Sequence, residues 1–202
     1  MSAAPAGVGL VGCGTIAGQY LRQLQALPEL TLVAVCDAVP EAADRVGAEH
    51  DVDVLTLDQL LADDRVEVVL NLTTPAHHVP ISSAALLAGK HAYQEKPFGV
   101  GLAQARSLAE TAARTGLRLG AAPDTVLGTG IQTARAALDD GLIGAPVAAT
   151  AFMMSPGHEA WHPQPGFYYR AGGGPLLDMG VYYLTALVTL LGPIDRVMGM
   201  GS

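Results

Sequence analysis

Short runs of branched apolar residues recur along the N-terminal part of the chain, at 8–11, 32–36, 66–72, 91–94 and 117–121. Between them lie stretches with helical spacing of apolar positions, at 16–26, 41–49, 57–62, 81–88 and 102–115. A nearly continuous apolar run fits a strand buried on both faces, and strands alternating with amphipathic helices predict a parallel sheet covered on both sides. Residues 1–122 therefore read as one doubly wound α/β domain. After Pro123 the rhythm changes. The pattern predicts a helix over 128–140, a turn over 141–146 and a strand over 147–154. An irregular stretch, 155–174, follows; it holds Pro156, Pro163, Pro165, Trp161, Phe167, Tyr168, Tyr169 and three consecutive glycines. A helix over 175–191 and a last strand-like piece over 194–200 complete a second, α+β region, 123–202. An irregular segment of that length inside a compact domain is more often functional than not.

Composition supports a packed core: of 202 residues, 50% are hydrophobic and 15% charged, which excludes a disordered tail or a collagen-like repeat. Eleven basic residues against nineteen acidic ones give a formal charge of −8, so nucleic acid and anionic membranes are repelled and neither is expected as a partner. Cys13 and Cys36 form no C-x-x-C pair and are too few for a disulfide framework or a cysteine zinc site, so a reduced, cytoplasmic setting is expected. The run at 8–13 has no basic region before it and leads into glycines, so it reads as a strand and not as a signal peptide. No segment approaches the ~20 apolar residues of a membrane span. Only Lys90 and Lys96 are lysines, so any lysine inside a motif carries weight.

Three motifs carry chemistry. Gly12-Cys13-Gly14-Thr15-Ile16-Ala17 follows the first strand pattern and opens a helix. In such a G-x-G-x-x-[G/A] turn the first glycine makes the turn, the second admits a pyrophosphate and the small third residue lets helix and strand pack; the helix N-terminus faces the anion. Asp37 closes the second strand pattern, where a carboxylate accepts hydrogen bonds from a ribose hydroxyl and repels a 2′-phosphate. No arginine follows before Arg45, so NAD is favoured over NADP. Glu95-Lys96-Pro97 ends the fourth strand pattern, where ligands of doubly wound sheets collect; a lysine there can exchange a proton with a carbinol or carbonyl. In Gly172-Gly173-Gly174-Pro175-Leu176-Leu177-Asp178-Met179-Gly180-Val181-Tyr182-Tyr183, Pro175 suits the first helical position and places Asp178 and Tyr182 on one helical face. Each motif has a plainer reading when taken singly: a turn, a solvated ion pair, a helix-start acid with a packed tyrosine. The histidines suggest no metal site, because His77 and His78 are adjacent and His158 and His162 lie in a loop with no acid at a convincing spacing. His158, Trp161 and His162 face a substrate or pack.

In this order, the three motifs resemble the glucose-fructose oxidoreductase, inositol dehydrogenase and rhizopine-catabolism (Gfo/Idh/MocA) family, supported by Asn71-Leu72-Thr73-Thr74-Pro75 and by Gly120-Ala121-Ala122-Pro123-Asp124-Thr125. The resemblance implies a Rossmann domain followed by an incomplete α+β substrate domain, since family members are considerably longer than 202 residues. It also implies hydride transfer between NAD(P) and a carbon of a sugar, cyclitol or related polyol. By that likeness Gly12, Gly14, Thr15, Ile16 and Ala17 line the pyrophosphate, Asp37 the adenosine ribose, and Thr73, Thr74 and Pro75 the nicotinamide side. Glu95 and Lys96 would stand at nicotinamide and substrate, and Asp178 would hold a substrate hydroxyl. Where the family more often has histidine, this chain has Tyr182. An ordinary Tyr titrates near ~10 and His near ~6.5, so proton transfer falls mainly to Lys96, with Tyr182 orienting the substrate. Association into a homo-oligomer through the second-domain sheet is also implied. Two alternatives stay open: a lyase or glycoside hydrolase using retained NAD, and a nucleotide-binding protein without turnover.

Overall fold

A computed structural model describes residues 4–160, 165–170 and 173–200, with Phe167 in backbone only. The chain divides into two compact units, Met1–Ala122 and Pro123–Ser202. In the first, strands β1 (Ala6–Val11), β2 (Leu30–Cys36), β3 (Asp53–Val54), β4 (Val68–Asn71), β5 (His91–Gln94) and β6 (Leu119–Ala121) form one sheet in the order β3-β2-β1-β4-β5-β6. All neighbouring pairs are parallel. Helices α1 (Ala17–Leu24), α2 (Pro40–His50), α3 (Leu57–Ala62), α4 (Pro75–Leu87) and α5 (Leu102–Thr115) join the strands.

Side-chain alternation divides β1 between two cores. Val8 and Leu10 pack with Ala17 and Leu21 of α1 and with Ala43 and Val46 of α2. Val11 packs on the other side with Leu60 of α3, Leu86 of α4 and Leu108 of α5. Leu10, Leu60 and Leu108 are fully buried, each contributing roughly 1.5–3 kcal/mol of transfer free energy. Gly9 is small of necessity: a Cβ there would lie 2.8 Å from Leu60 Cδ2, so α3 packs directly on the β1 backbone. Because β2 and β4 flank β1, the connections leave in opposite directions and open a crevice at the C-terminal ends of β1 and β4.

Two first-unit elements depart from the pattern-based expectation. Helix α4 starts at Pro75, six residues before the helix expected at 81–88, because Thr74 is extended and Pro75 takes the first helical position, where no N–H is needed. Pro80 is tolerated inside it at the loss of one helical hydrogen bond. The two-residue β3, paired with Ala34 and Val35 at the sheet edge, is too short to leave a periodic signal.

In the second unit α6 (Thr129–Asp139) packs on α7 (Val181–Leu191), and Arg135 Nη1 donates to the Thr189 carbonyl at 2.8 Å. The expected helix over 175–191 begins as a π turn, Leu176–Gly180, and the irregular stretch contributes a 3₁₀ turn, Pro165–Tyr169. The strands expected over 147–154 and 194–200 do not form. Both segments are extended in apolar pattern, yet an isolated strand leaves its backbone N–H and C=O groups unpaired. Neither has a ladder partner among the described residues, and Val147, Phe152, Met154, Val197, Met198 and Met200 are exposed. Among the described residues no helix is long and apolar enough to cross a membrane.

On the surface, Arg65 Nη2 donates at 2.6 Å to both Asp63 and Asp53, tying the β3 edge to the turn before β4. Hydrogen bonds from Arg65 hold the Asp63 carboxyl down at about 2. A depressed folded-state value adds stability that is present above the ordinary carboxylate range and lost as pH falls through the folded value. Thermal melts of the wild type should therefore drop between about pH 4 and pH 2. In Arg65→Met that drop should be shallower.

Candidate functional site

At the end of β1 the chain turns through Gly12, whose φ is +101°. A Cβ here would stand 2.7 Å from the Leu72 carbonyl carbon and 2.8 Å from the Thr73 nitrogen. Both the left-handed backbone and the approach of the β4–α4 turn thus require glycine. Gly14 is different: its φ is not positive, and a Cβ would meet open space with nothing within 4 Å. Gly12, Cys13 and Ala17 are buried, whereas Gly14, Thr15 and Ile16 form an exposed lip above the α1 N-terminus. That terminus has no side-chain cap and no acid in its first turn. Unfilled space over Gly14, beside uncapped helix N–H groups, fits an anion drawn close to the backbone.

Asp37, just past β2, braces this loop. Its Oδ2 accepts from the Cys13 N–H at 2.6 Å and its Oδ1 from the Val39 N–H at 2.8 Å. Helix α2 brings Arg45 back to the loop, where Nη2 donates to the Cys13 carbonyl at 3.2 Å. Sequence distance hid this return, although the guanidinium is engaged by a backbone oxygen. The Cys13 thiol is pushed up to about 12, chiefly by burial and then by the Asp37 charge, so it stays protonated at neutral pH.

Across the crevice, the turn after β4 is held by buried polar groups. Asn71 is fully buried; its Oδ1 accepts from the Thr73 hydroxyl at 2.7 Å, and its amide donates to the His78 carbonyl and to Ser82 Oγ. The His78 ring lies 2.9 Å from two carbonyls, Nε2 at Thr73 and Nδ1 at Pro97. One buried imidazole thereby joins the turn carrying Thr73, Thr74 and Pro75 to the corner carrying Lys96. Adjacent His77 instead faces outward and pairs with the Thr74 hydroxyl at 2.9 Å. The two histidines therefore serve different turns and do not converge. Neither role has a signature beyond the presence of histidine. Glu95 and Lys96 stand at the end of β5, half-buried; the Glu95 N–H continues the ladder to the Asn71 carbonyl at 2.9 Å, and the Lys96 N–H donates to Glu95 Oε2 at 2.9 Å.

In the second unit, Asp178 lies in the π turn and Tyr182 in the first turn of α7, both half-buried. Sequence reasoning assigned His158 no partner, yet its Nε2 lies 3.3 Å from Asp178 Oδ2 and its ring stacks on Tyr168 at 3.7 Å with an interplanar angle of 12°. Burial, and then the Asp178 charge, raise the Tyr168 phenol. His158 and Asp178 are twenty positions apart with no period in the sequence between them, so no spacing rule could have joined them. Trp161 and His162 lie outside the described residues, as does Gly172 of the glycine run.

A parallel sheet in this order, with a glycine turn at the central strand and an acid at the end of its neighbour, defines a dinucleotide-binding domain. Residues 6–122 match the family described as "Oxidoreductase family, NAD-binding Rossmann fold", and residues 131–202 match the GFO/IDH/MocA C-terminal domain; the chain belongs to this family. It is 34% identical over 197 residues to a dTDP-3,4-didehydro-2,6-dideoxy-alpha-D-glucose 3-reductase of Streptomyces violaceoruber, covering 95% of this chain and 56% of that one. To an inositol 2-dehydrogenase of Rhizobium meliloti it is 26% identical over 184 residues, covering 91% and 54%. A crystal structure of a 3-ketoreductase from Actinomadura kijaniata, in complex with NADP and TDP-benzene, superposes with a TM-score of 0.77 at 31% identity, covering 93% of this chain and 58% of that one. The chain thus spans about half the length of the curated relatives it matches.

The contrast between the two glycines can be tested on the folded protein. Gly12→Ala should cost about 2 kcal/mol or more, from left-handed strain plus the clash with the Leu72–Thr73 backbone. Gly14→Ala should leave the denaturation midpoint within about 0.5 kcal/mol of wild type. Urea titrations followed by circular dichroism measure both.

Proposed function

We propose that this chain carries the dinucleotide-binding half, and the beginning of the substrate region, of an NAD(P)-dependent oxidoreductase acting on a hydroxyl-bearing carbon of a sugar or polyol. The observation that carries the reading is the open, uncapped loop over Gly14, bordered by the Asp37 carboxylate and sharing its crevice with the Thr73 turn. When bound, NAD supplies the hydride acceptor or donor, which no protein side chain can.

The protein's own residues bind, orient and move the proton. N–H groups of Gly14, Thr15 and Ile16 and the α1 terminus would receive the pyrophosphate, with Ala17 keeping helix and strand close. Asp37 would accept from the adenosine ribose while bracing the loop. Thr73, Thr74 and Pro75 would border the nicotinamide. Lys96 would take the hydroxyl proton during oxidation or return it during reduction, with Glu95 fixing the backbone beneath it. Asp178 and Tyr182 would hold substrate hydroxyls. The similarity to a sugar-nucleotide reductase and an inositol dehydrogenase supports this substrate class. We favour NAD over NADP because a 2′-phosphate would meet Asp37, and the Arg45 guanidinium on the neighbouring helix is engaged by the Cys13 carbonyl.

Two measurements test the proposal. With NAD and a panel of inositols and sugars, absorbance at 340 nm should rise steadily, and Lys96→Ala should lower kcat by about 100-fold or more while NADH fluorescence still reports binding. No NADH binding by the wild type would sink the reading, and turnover without added NAD would move it to a retained-cofactor lyase or hydrolase. NADH should also bind more tightly than NADPH. Asp37→Ser should narrow that gap by about tenfold in Kd, since each factor of ten is ~1.4 kcal/mol.

A further inference from the structure

Tyr20 stands on α1, one turn past the glycine loop, and its hydroxyl donates to Glu95 Oε1 at 2.7 Å across the crevice. The other carboxylate oxygen, Oε2, accepts from the Lys96 N–H at 2.9 Å. Both oxygens of Glu95 are therefore committed, one to the helix that follows the dinucleotide turn and one to the backbone of the lysine. The Tyr20 ring is itself held against Tyr93 of β5, centroids 6.5 Å apart and planes tilted by 58°. Charge-assisted O–H···O⁻ bonds are short and about twice as strong as neutral ones, and a half-buried carboxylate clamped at both ends has little freedom.

We propose that Tyr20 is a positioning residue: through Glu95 it couples the helix at the dinucleotide loop to the backbone of Lys96, so that the α1 terminus and the lysine adopt their working positions together. This rests on the reading of Lys96 as the proton-transfer group only for its effect on rate. The coupling itself is a property of the fold. Displacing a proton-transfer group by a fraction of an ångström is expected to lower kcat by about tenfold, with less effect on KM.

The chain holds only two lysines, so protein labelled with ¹⁵N-lysine gives two lysine amide signals. Lys90 donates its N–H to the Ala85 carbonyl and serves as the internal reference. In Tyr20→Phe, which keeps the ring against Tyr93, the Lys96 amide should move and exchange with solvent about tenfold faster, while the Lys90 amide stays in place. Tyr20→His, which returns an N–H donor, should recover part of the wild-type position; this variant and Glu95→Gln keep the test available if the phenylalanine variant folds poorly. A further readout is NADH added to the wild type: the Lys96 amide should respond, and that response should shrink in Tyr20→Phe while the Kd for NADH changes by less than about threefold. A Lys96 amide unmoved by Tyr20→Phe overturns the coupling. Absence of NADH binding by the wild type overturns the oxidoreductase reading and leaves the lysine-amide comparison standing.

Discussion

Everything at the crevice depends on how closely the first and fourth strands end beside each other. Gly12 lies so near the Leu72–Thr73 backbone that no side chain fits between them, and its left-handed conformation aims the following residues over the top of the sheet. The loop then needs bracing, because an exposed lip with an uncapped helix behind it holds itself poorly. Asp37 and Arg45 supply the brace from opposite sides of Cys13, one on its N–H and the other on its carbonyl. A small residue at the turn, a carboxylate at the neighbouring strand and a cation from the next helix thus form one mechanical unit.

A second unit lies on the other side of the crevice. Parallel strands end in turns that face solvent, and such turns wander unless buried groups hold them. Asn71 does so by bonding the Thr73 hydroxyl and the His78 carbonyl, and the His78 ring lies between the Thr73 and Pro97 carbonyls, within hydrogen-bond distance of each. Removing one member would leave the others buried and unpaired, which costs more than a single hydrogen bond contributes. The proposed acid–base corner at Glu95 and Lys96 rests on this frame, and Tyr20 reaches it from the opposite helix.

Much of the first unit is legible in the chain, because the central strands are buried on both faces and the helices on one, and those burial patterns leave periods of their own. Five of the six strands and most helices of the Rossmann unit are readable in this way. The glycine motif and Asp37 are legible for a related reason: a backbone that must turn sharply or admit a ligand restricts residue type at fixed spacing. What escaped reading lacked either property. Strand β3 is two residues long; α4 begins at a proline that pattern reading treats as a breaker; His158 reaches Asp178 from an aperiodic loop. The segments at 147–154 and 194–200 carry a strand-like pattern but no partner among the described residues, and pattern without pairing does not make a sheet.

By itself the sequence determined the layering of the first domain, the turn that needs glycine and the residue types able to handle a dinucleotide and a proton, because these follow from local sterics, period and chemistry. Tertiary structure decided which of those residues answer to one another. Arg45 returns to Cys13 across 32 positions, Tyr20 to Glu95 across 75 and His78 to Pro97 across 19. Such partnerships depend on crossing strands and packed helices, and hydrogen bonds between distant segments leave no periodic trace along the chain.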